Sequence, residues 1–135
     1  MEKIFNFTSI VIGIVGGFAV KVFGGYDMII KALLLLVVLD YLTGVIKGAY
    51  TKKLSSEIGF KGILKKVTIF IVIALAVVLQ KLTGNVIAIR EIVIMFFICN
   101  EALSLLENAA VMVPIPQALK NVLLQLRDKT ESDNV

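Results

Sequence analysis

Two clusters of polar side chains interrupt otherwise apolar stretches of this chain, and any chemistry would have to occur there. Asp40, Thr43, Gly44 and Lys47 fall at i, i+3, i+4 and i+7, which is one face of a helix. Asn100, Glu101, Ser104, Glu107 and Asn108, at 100° per residue, lie within an arc of about 120°. Carboxylates, amides and hydroxyls so placed can pair with an opposite charge or line a path for water. An ionisable group inside an apolar helix must do one or the other. Lys47 is two turns from Asp40, so a lysine or arginine on another helix is the better direct partner. The plainer alternative for Asp40 is an interfacial carboxylate hydrated from the nearby surface. For the second cluster, a water-filled lumen and a dry hydrogen-bond network suit the pattern equally.

The residues needed for most catalytic devices are missing. The chain has no histidine, which removes His-based triads, zinc–histidine sites and histidine proton shuttles. Cys99 is the single cysteine, so disulfides within the chain and cysteine-cluster metal sites are excluded. Nothing pairs a nucleophile with an activating base, and no metal-ligand spacing occurs. The expectation is a protein that is not an enzyme, with no cofactor and no metal.

The elements that must carry these clusters follow from composition. Of 135 residues, 59 % are hydrophobic and 18 % charged. A soluble domain has about a quarter of its residues charged, and so small a body could not bury the apolar excess. Lipid is the solvent that removes the difficulty, and the fold class is an all-α integral membrane protein. Crossing the hydrocarbon takes about 20 residues. Four segments approach that length, at 4–23, 28–46, 63–82 and 92–110, with turn-rich joins at Gly24-Gly25-Tyr26-Asp27 and Thr83-Gly84-Asn85. The first segment resembles a secretory leader, but Lys21 and Gly24-Gly25 end it without an A-x-A-like cleavage site, and it reads as an uncleaved span. The fourth is the weak one. An acid at a helix centre costs about 2.5–3.5 kcal/mol, whereas each Leu, Ile, Phe or Val returns only about 0.3–0.6. Glu101, Glu107 and two asparagines could cancel the gain, so this segment needs protein neighbours, and a re-entrant or three-span arrangement is the alternative to four spans.

Small residues recur where helices could approach closely. Ser9, Gly13 and Gly17 stand four apart in the first segment, and Gly44 and Gly48 repeat the interval in the second. Such ladders let backbones pack in lipid, here within the subunit or between subunits. Lys47, Lys52, Lys53, Lys61, Lys65 and Lys66 lie in or flank the connection between the second and third segments. That places the connection beside anionic headgroups in the cytoplasm and makes a nucleic-acid partner the poorer account of the formal charge of +4. With this loop inside, both termini are cytoplasmic, and Lys3, the six loop lysines, Lys120, Arg127 and Lys129 put ten of the fourteen basic residues on the inner side. Residues 1–112 then form the transmembrane helical domain and 113–135 a cytoplasmic amphipathic helix and tail. After Pro114-Ile115-Pro116, the residues Ala118, Leu119, Val122, Leu123 and Leu126 recur at helical spacing. This helix of about 12 residues is too short to span and is expected on the inner membrane surface or against a partner, with Thr130 onward frayed.

Asp40-Tyr41-Leu42-Thr43-Gly44 closing an apolar segment, Ser55-Ser56, Gly59 and Gly62 ahead of Lys65-Lys66, the run Asn100-Glu101-Ala102-Leu103-Ser104-Leu105-Leu106-Glu107-Asn108, then Pro114-Ile115-Pro116 and Leu119 follow a recognisable order. Over roughly residues 30–126 the chain resembles the phage-lysis and clostridial toxin-secretion holin family. The N-E-x-x-S-x-x-E-N run followed by P-x-P is the specific part of the likeness. The resemblance implies a protein of the bacterial cytoplasmic membrane that forms homo-oligomers and opens non-selective lesions. An endolysin or a large toxin leaves through these without necessarily touching the holin. The competing readings from the residues are a small ion or cation transporter or channel, and an accessory subunit of another membrane protein.

Overall fold

The computed structural model describes residues 1–132, and every regular element among them is an α-helix. Helix α1 spans Glu2–Val22, α2 Met28–Tyr50, α3 Ser56–Leu82, α4 Ile89–Ala110 and α5 Gln117–Ser132. The stops are local. Gly24 and Gly25 take positive φ values of 78° and 119°, which L side chains adopt at a cost, and the Gly25 N–H closes α1 on the Val20 carbonyl at 2.8 Å. Asp27 then caps α2, its carboxylate accepting from the Ile30 N–H at 3.3 Å.

Three helices bury one another. Ile30, Leu33 and Val37 of α2 meet Ile69 and Ile73 of α3 and Ile94 of α4, and each set recurs at three- or four-residue spacing. Outward-facing residues of the same helices, such as Leu35, Val38, Ile71 and Leu75, are apolar and exposed, as a lipid-facing surface requires. Helix α1 buries no residue. It meets the bundle near its C-terminal end, where Ala19 and Val20 line a pocket with Leu34 and Phe70, and Phe23 packs edge-on against Phe70 at 5.6 Å.

Three helices, α1, α2 and α3, are long and apolar enough to cross a membrane. The fourth expected span is a helix of 22 residues. The connection between α2 and α3 is shorter than the sequence suggested, because both helices run into it and leave only residues 51–55 between them. Thr51 ends α2, and Ser55 occupies the N-cap position of α3 with Glu57 in its first turn. Lys47 therefore belongs to α2, and Lys61, Lys65 and Lys66 belong to α3.

The C-terminal helix has 16 residues and lies on α4. It runs through Thr130, which is buried, so fraying does not begin there; residues 133–135 lie outside the described part. Lys120, Leu123, Leu124 and Arg127 are half-buried in phase with Thr130 and mark the packed face. That face is rotated from the expected apolar stripe, which leaves Leu119, Val122 and Leu126 exposed.

Candidate functional site

Asp40 sits about 18 Å along α2 from its N-terminal end and Glu101 the same distance along α4, at 1.5 Å per residue. Neighbouring backbones at this depth are already bonded to themselves, so the carboxylates need side-chain partners. Lys66 of α3 supplies one to both. Its Nζ donates to Asp40 Oδ2 at 2.6 Å and to Glu101 Oε2 at 2.6 Å. The three side chains are 10–15 % exposed. A single ammonium thus ties α2, α3 and α4 together.

Helices α2 and α4 are joined again about two turns farther along α4. Asn108 Nδ2 donates to Asp40 Oδ1 at 3.1 Å, to the Asp40 carbonyl at 3.2 Å and to Thr43 Oγ1 at 3.2 Å. Glu101 and Asn108 are seven residues apart, close to two full turns, so they present one edge of α4 to α2 and α3. The rest of the polar arc turns away from this contact. Asn100 and Ser104 are half-buried and Glu107 is exposed, and none of the three makes a side-chain bond among the described residues. The structure therefore divides the expected stripe into a paired edge and an open edge.

The small-residue positions separate in the same way. A methyl at Gly44 would come within 3.6 Å of the Asn108 amide, and one at Gly48 within 3.2 Å of Leu54 in the turn that follows. Both glycines therefore have neighbours inside the subunit. At Gly13 and Gly17 a methyl would meet nothing within 4 Å, and Ser9 Oγ donates only to the Phe5 carbonyl of its own helix.

Of the basic residues, Lys52, Lys53, Lys61 and Lys65 are exposed and Lys47 is half-buried. Lys61 forms an exposed surface pair with Glu57 at 3.2 Å. Lys66 was expected among the loop lysines, and the structure turns it into the bundle instead. The sequence carries only a weak signal for this: Lys66 lies nearer than Lys65 to the centre of the stripe formed by Ile69, Ile73, Ala76 and Val77.

Sequence reasoning missed a second constellation at the opposite end of the bundle. Arg90, at the start of α4, has a side chain only 4 % exposed. Its guanidinium forks onto Asp27, Nη1 to Oδ2 at 2.9 Å and Nη2 to Oδ1 at 3.0 Å. Nε donates to the Phe23 carbonyl at 2.6 Å and Nη2 to the Gly25 carbonyl at 3.2 Å, which satisfies carbonyls left open where α1 stops. The Arg90 N–H is itself held by Gln80 Oε1 at 2.8 Å. Hydrogen bonding from Arg90 holds the Asp27 carboxyl below its ordinary pKa. The available clue was a lone arginine between the third and fourth apolar segments and a lone aspartate between the first and second.

On the side of α4 away from Glu101, Cys99 and Leu103 are buried, and Arg127 of α5 is the charged group near Cys99. Among the described residues no three His, Cys, Asp or Glu side chains are grouped so as to hold a metal ion.

Residues 17–128 match the bacteriophage holin family. The chain is also similar to an uncharacterised 14.9 kDa protein encoded in the nagH 3′ region of Clostridium perfringens. The two are 44 % identical over 131 residues, covering 96 % of this chain and 99 % of that one. An uncharacterised protein of C. perfringens strain 13 is 47 % identical over 110 residues, 80 % of this chain and 82 % of its own. An uncharacterised protein of Listeria monocytogenes is 37 % identical over 134 residues, 98 % of this chain and 94 % of its own. No solved structure matches.

Proposed function

This chain belongs to the bacteriophage holin family, and on that premise we propose that it is a holin, a non-enzymatic protein of the bacterial cytoplasmic membrane whose copies assemble and open non-selective lesions. A cytoplasmic endolysin or a large toxin would leave through them. In the proposed topology α1 to α4 all span, both termini face the cytoplasm, and the α2–α3 turn with its lysines meets the inner headgroups.

The observation that carries the reading is the division of α4 into a paired and an open polar edge. In the closed subunit Lys66 bonds both Asp40 and Glu101, and the three-helix core tolerates lipid. Asn100, Ser104 and Glu107 of α4 have no such cover. Groups of this kind in hydrocarbon cost several kcal/mol each, of order 2–7 for an unpaired amide or hydroxyl. A ring of copies with the α4–α5 hairpins around a water-filled space removes that cost; a lone subunit in lipid does not. Helix α1, unpacked and carrying Ser9, Gly13 and Gly17 on an open face, is the element suited to hold copies together.

The test is induced expression in a bacterium with and without an endolysin that lacks an export signal, following turbidity and membrane potential together. Abrupt lysis that requires both proteins, after a delay with normal growth, is the expected result. Continued growth with the chain present in the membrane overturns autonomous lesion formation. Glu101→Gln should alter the delay at equal protein level, and an unchanged delay removes Glu101 from the mechanism.

A further inference from the structure

The cluster at the centre of the bundle does not balance. Asp40 and Glu101 carry two negative charges when ionised, and Lys66 carries one positive charge. Both contacted oxygens lie 2.6 Å from the same nitrogen, so they can be no more than about 5 Å apart, a distance at which like charges strongly disfavour each other. The other groups around them are neutral: Thr43 on the Asp40 side of the site and Asn108 across from it. Asp40 has donors on both carboxylate oxygens, Lys66 on one and Asn108 on the other. Glu101 has a donor on Oε2 alone among the described residues. The remaining charges on the packed helices are elsewhere. Arg127 of α5 acts on Cys99, on the opposite side of α4, and Arg90 is bound to Asp27 at the N-terminal ends of α2 and α4.

We propose that the Asp40–Lys66–Glu101 cluster is a proton-binding site, in which each closed subunit holds one proton between the two carboxyl groups. The free Oε1 of Glu101 is the place for it. A proton there brings the cluster to zero net charge and leaves Lys66 bonded to both acids. When α4 leaves α2 and α3 and its polar edge meets water, the carboxyl loses the apolar surroundings and the neighbouring charge, and the proton departs. Closure and proton uptake are therefore one event. By linkage, the closed arrangement weakens as pH rises through the value at which the site empties, and is firm below it. This holds whether or not the open state is a lesion, so its test does not need one.

The experiment is infrared spectroscopy of the full chain in lipid vesicles at neutral pH, reading the carbonyl stretch of a protonated carboxylic acid, which stands apart from the carboxylate bands. A band is expected in the native chain, and it should vanish in Glu101→Gln. It should vanish equally in Asp40→Asn, which keeps Glu101 but frees Lys66 to neutralise it alone. Glu107→Gln, on the open edge, should leave it in place. No band in the native chain, or a band that survives both replacements, overturns the proposal. Should the variants fail to fold, proton release on denaturing the native chain in unbuffered micelles at neutral pH decides: about one proton per chain is expected, and none refutes the site.

Discussion

Replacing Lys66 by methionine isolates the electrostatics of the core, because methionine keeps most of the side-chain volume and removes the charge. The ammonium makes two short bonds to acids whose side chains are 10 % and 11 % exposed. A hydrogen bond to a charged group contributes about 1.5–3 kcal/mol, and removing one partner of a buried ion pair costs about 3–5 kcal/mol because the other charge is left bare. Here Asp40 is left as a bare carboxylate beside the protonated Glu101, so about 3–5 kcal/mol is the working figure. That is about a hundredfold or more in the ratio of packed to separated helices, at 1.4 kcal/mol per tenfold. The assay is a titration with sodium dodecyl sulfate in mixed micelles. Energy transfer between dyes on Tyr50→Cys and Val111→Cys, both exposed in the native chain, follows the separation of α2 from α4 in a Cys99→Ser background. The control is the neutral triple variant Asp40→Asn, Lys66→Met, Glu101→Gln. With no bare charge left it should fall within about 1 kcal/mol of the parent, since neutral replacement of a buried ion cluster is often close to neutral. A triple variant as unstable as Lys66→Met would refute the reasoning and reassign the loss to packing of the lysine stem.

The Arg90–Asp27 clamp has its own tests. Gly24→Ala places a methyl 2.7 Å from Arg90 Cδ and Nε at a backbone φ of 78°; strain of about 1–3 kcal/mol should loosen the α1–α2 join, read as faster hydrogen exchange at Asp27–Ile30. Because Arg90 holds the Asp27 pKa down, the clamp's contribution is present above the ordinary aspartate value near 3.9 and is lost as pH falls through the lower folded value. Protection of the same amides, taken relative to their intrinsic exchange rates from neutral to acid pH, should fall only at the acid end. Gly13→Leu with Gly17→Leu should leave the fold of the subunit intact, since nothing lies within 4 Å of either position, and weaken association between copies; an unaltered cross-linking pattern removes this ladder from the contact. Leu123→Ser with Leu124→Ser should release α5 and raise the rate of maleimide labelling at Cys99 about tenfold or more, from roughly half of the 1.5–3 kcal/mol of each leucine's burial; an unchanged rate means that α5 does not cover the thiol.

Much of this molecule follows from composition and periodicity. Excess apolar residues with few charges required lipid-facing helices, and the Gly-Gly and Gly-Asn joins fixed where α1 and α3 stop, because positive φ is a property of the residue and its neighbours. The limits of α2 and α3 were less legible. Lysines are good helix formers as well as good loop residues, so the basic stretch between the helices could be read either way. The structure resolves it as helix on both sides of a short turn.

The pairing of side chains was a different matter. Sequence alone pointed to a cation on another helix as the better direct partner for Asp40, with hydration from the near surface as the alternative, and left Glu101 between a water-filled lumen and a hydrogen-bond network. It did not identify Lys66, because the choice between Lys65 and Lys66 depends on the rotation of α3 about its own axis, which is set by Ile69 and Ile73 packing against α2 and α4. Arg90 and Asp27 were invisible for a related reason. They are 63 residues apart, each unremarkable in its own turn, and only the bundle brings the two together. The rotation of α5, which leaves Leu119, Val122 and Leu126 uncovered, likewise depends on the surface that α4 offers. What a residue requires is written in its chemistry and its depth; which residue meets that requirement is decided by helix rotation and register, and these are collective properties of the packed core.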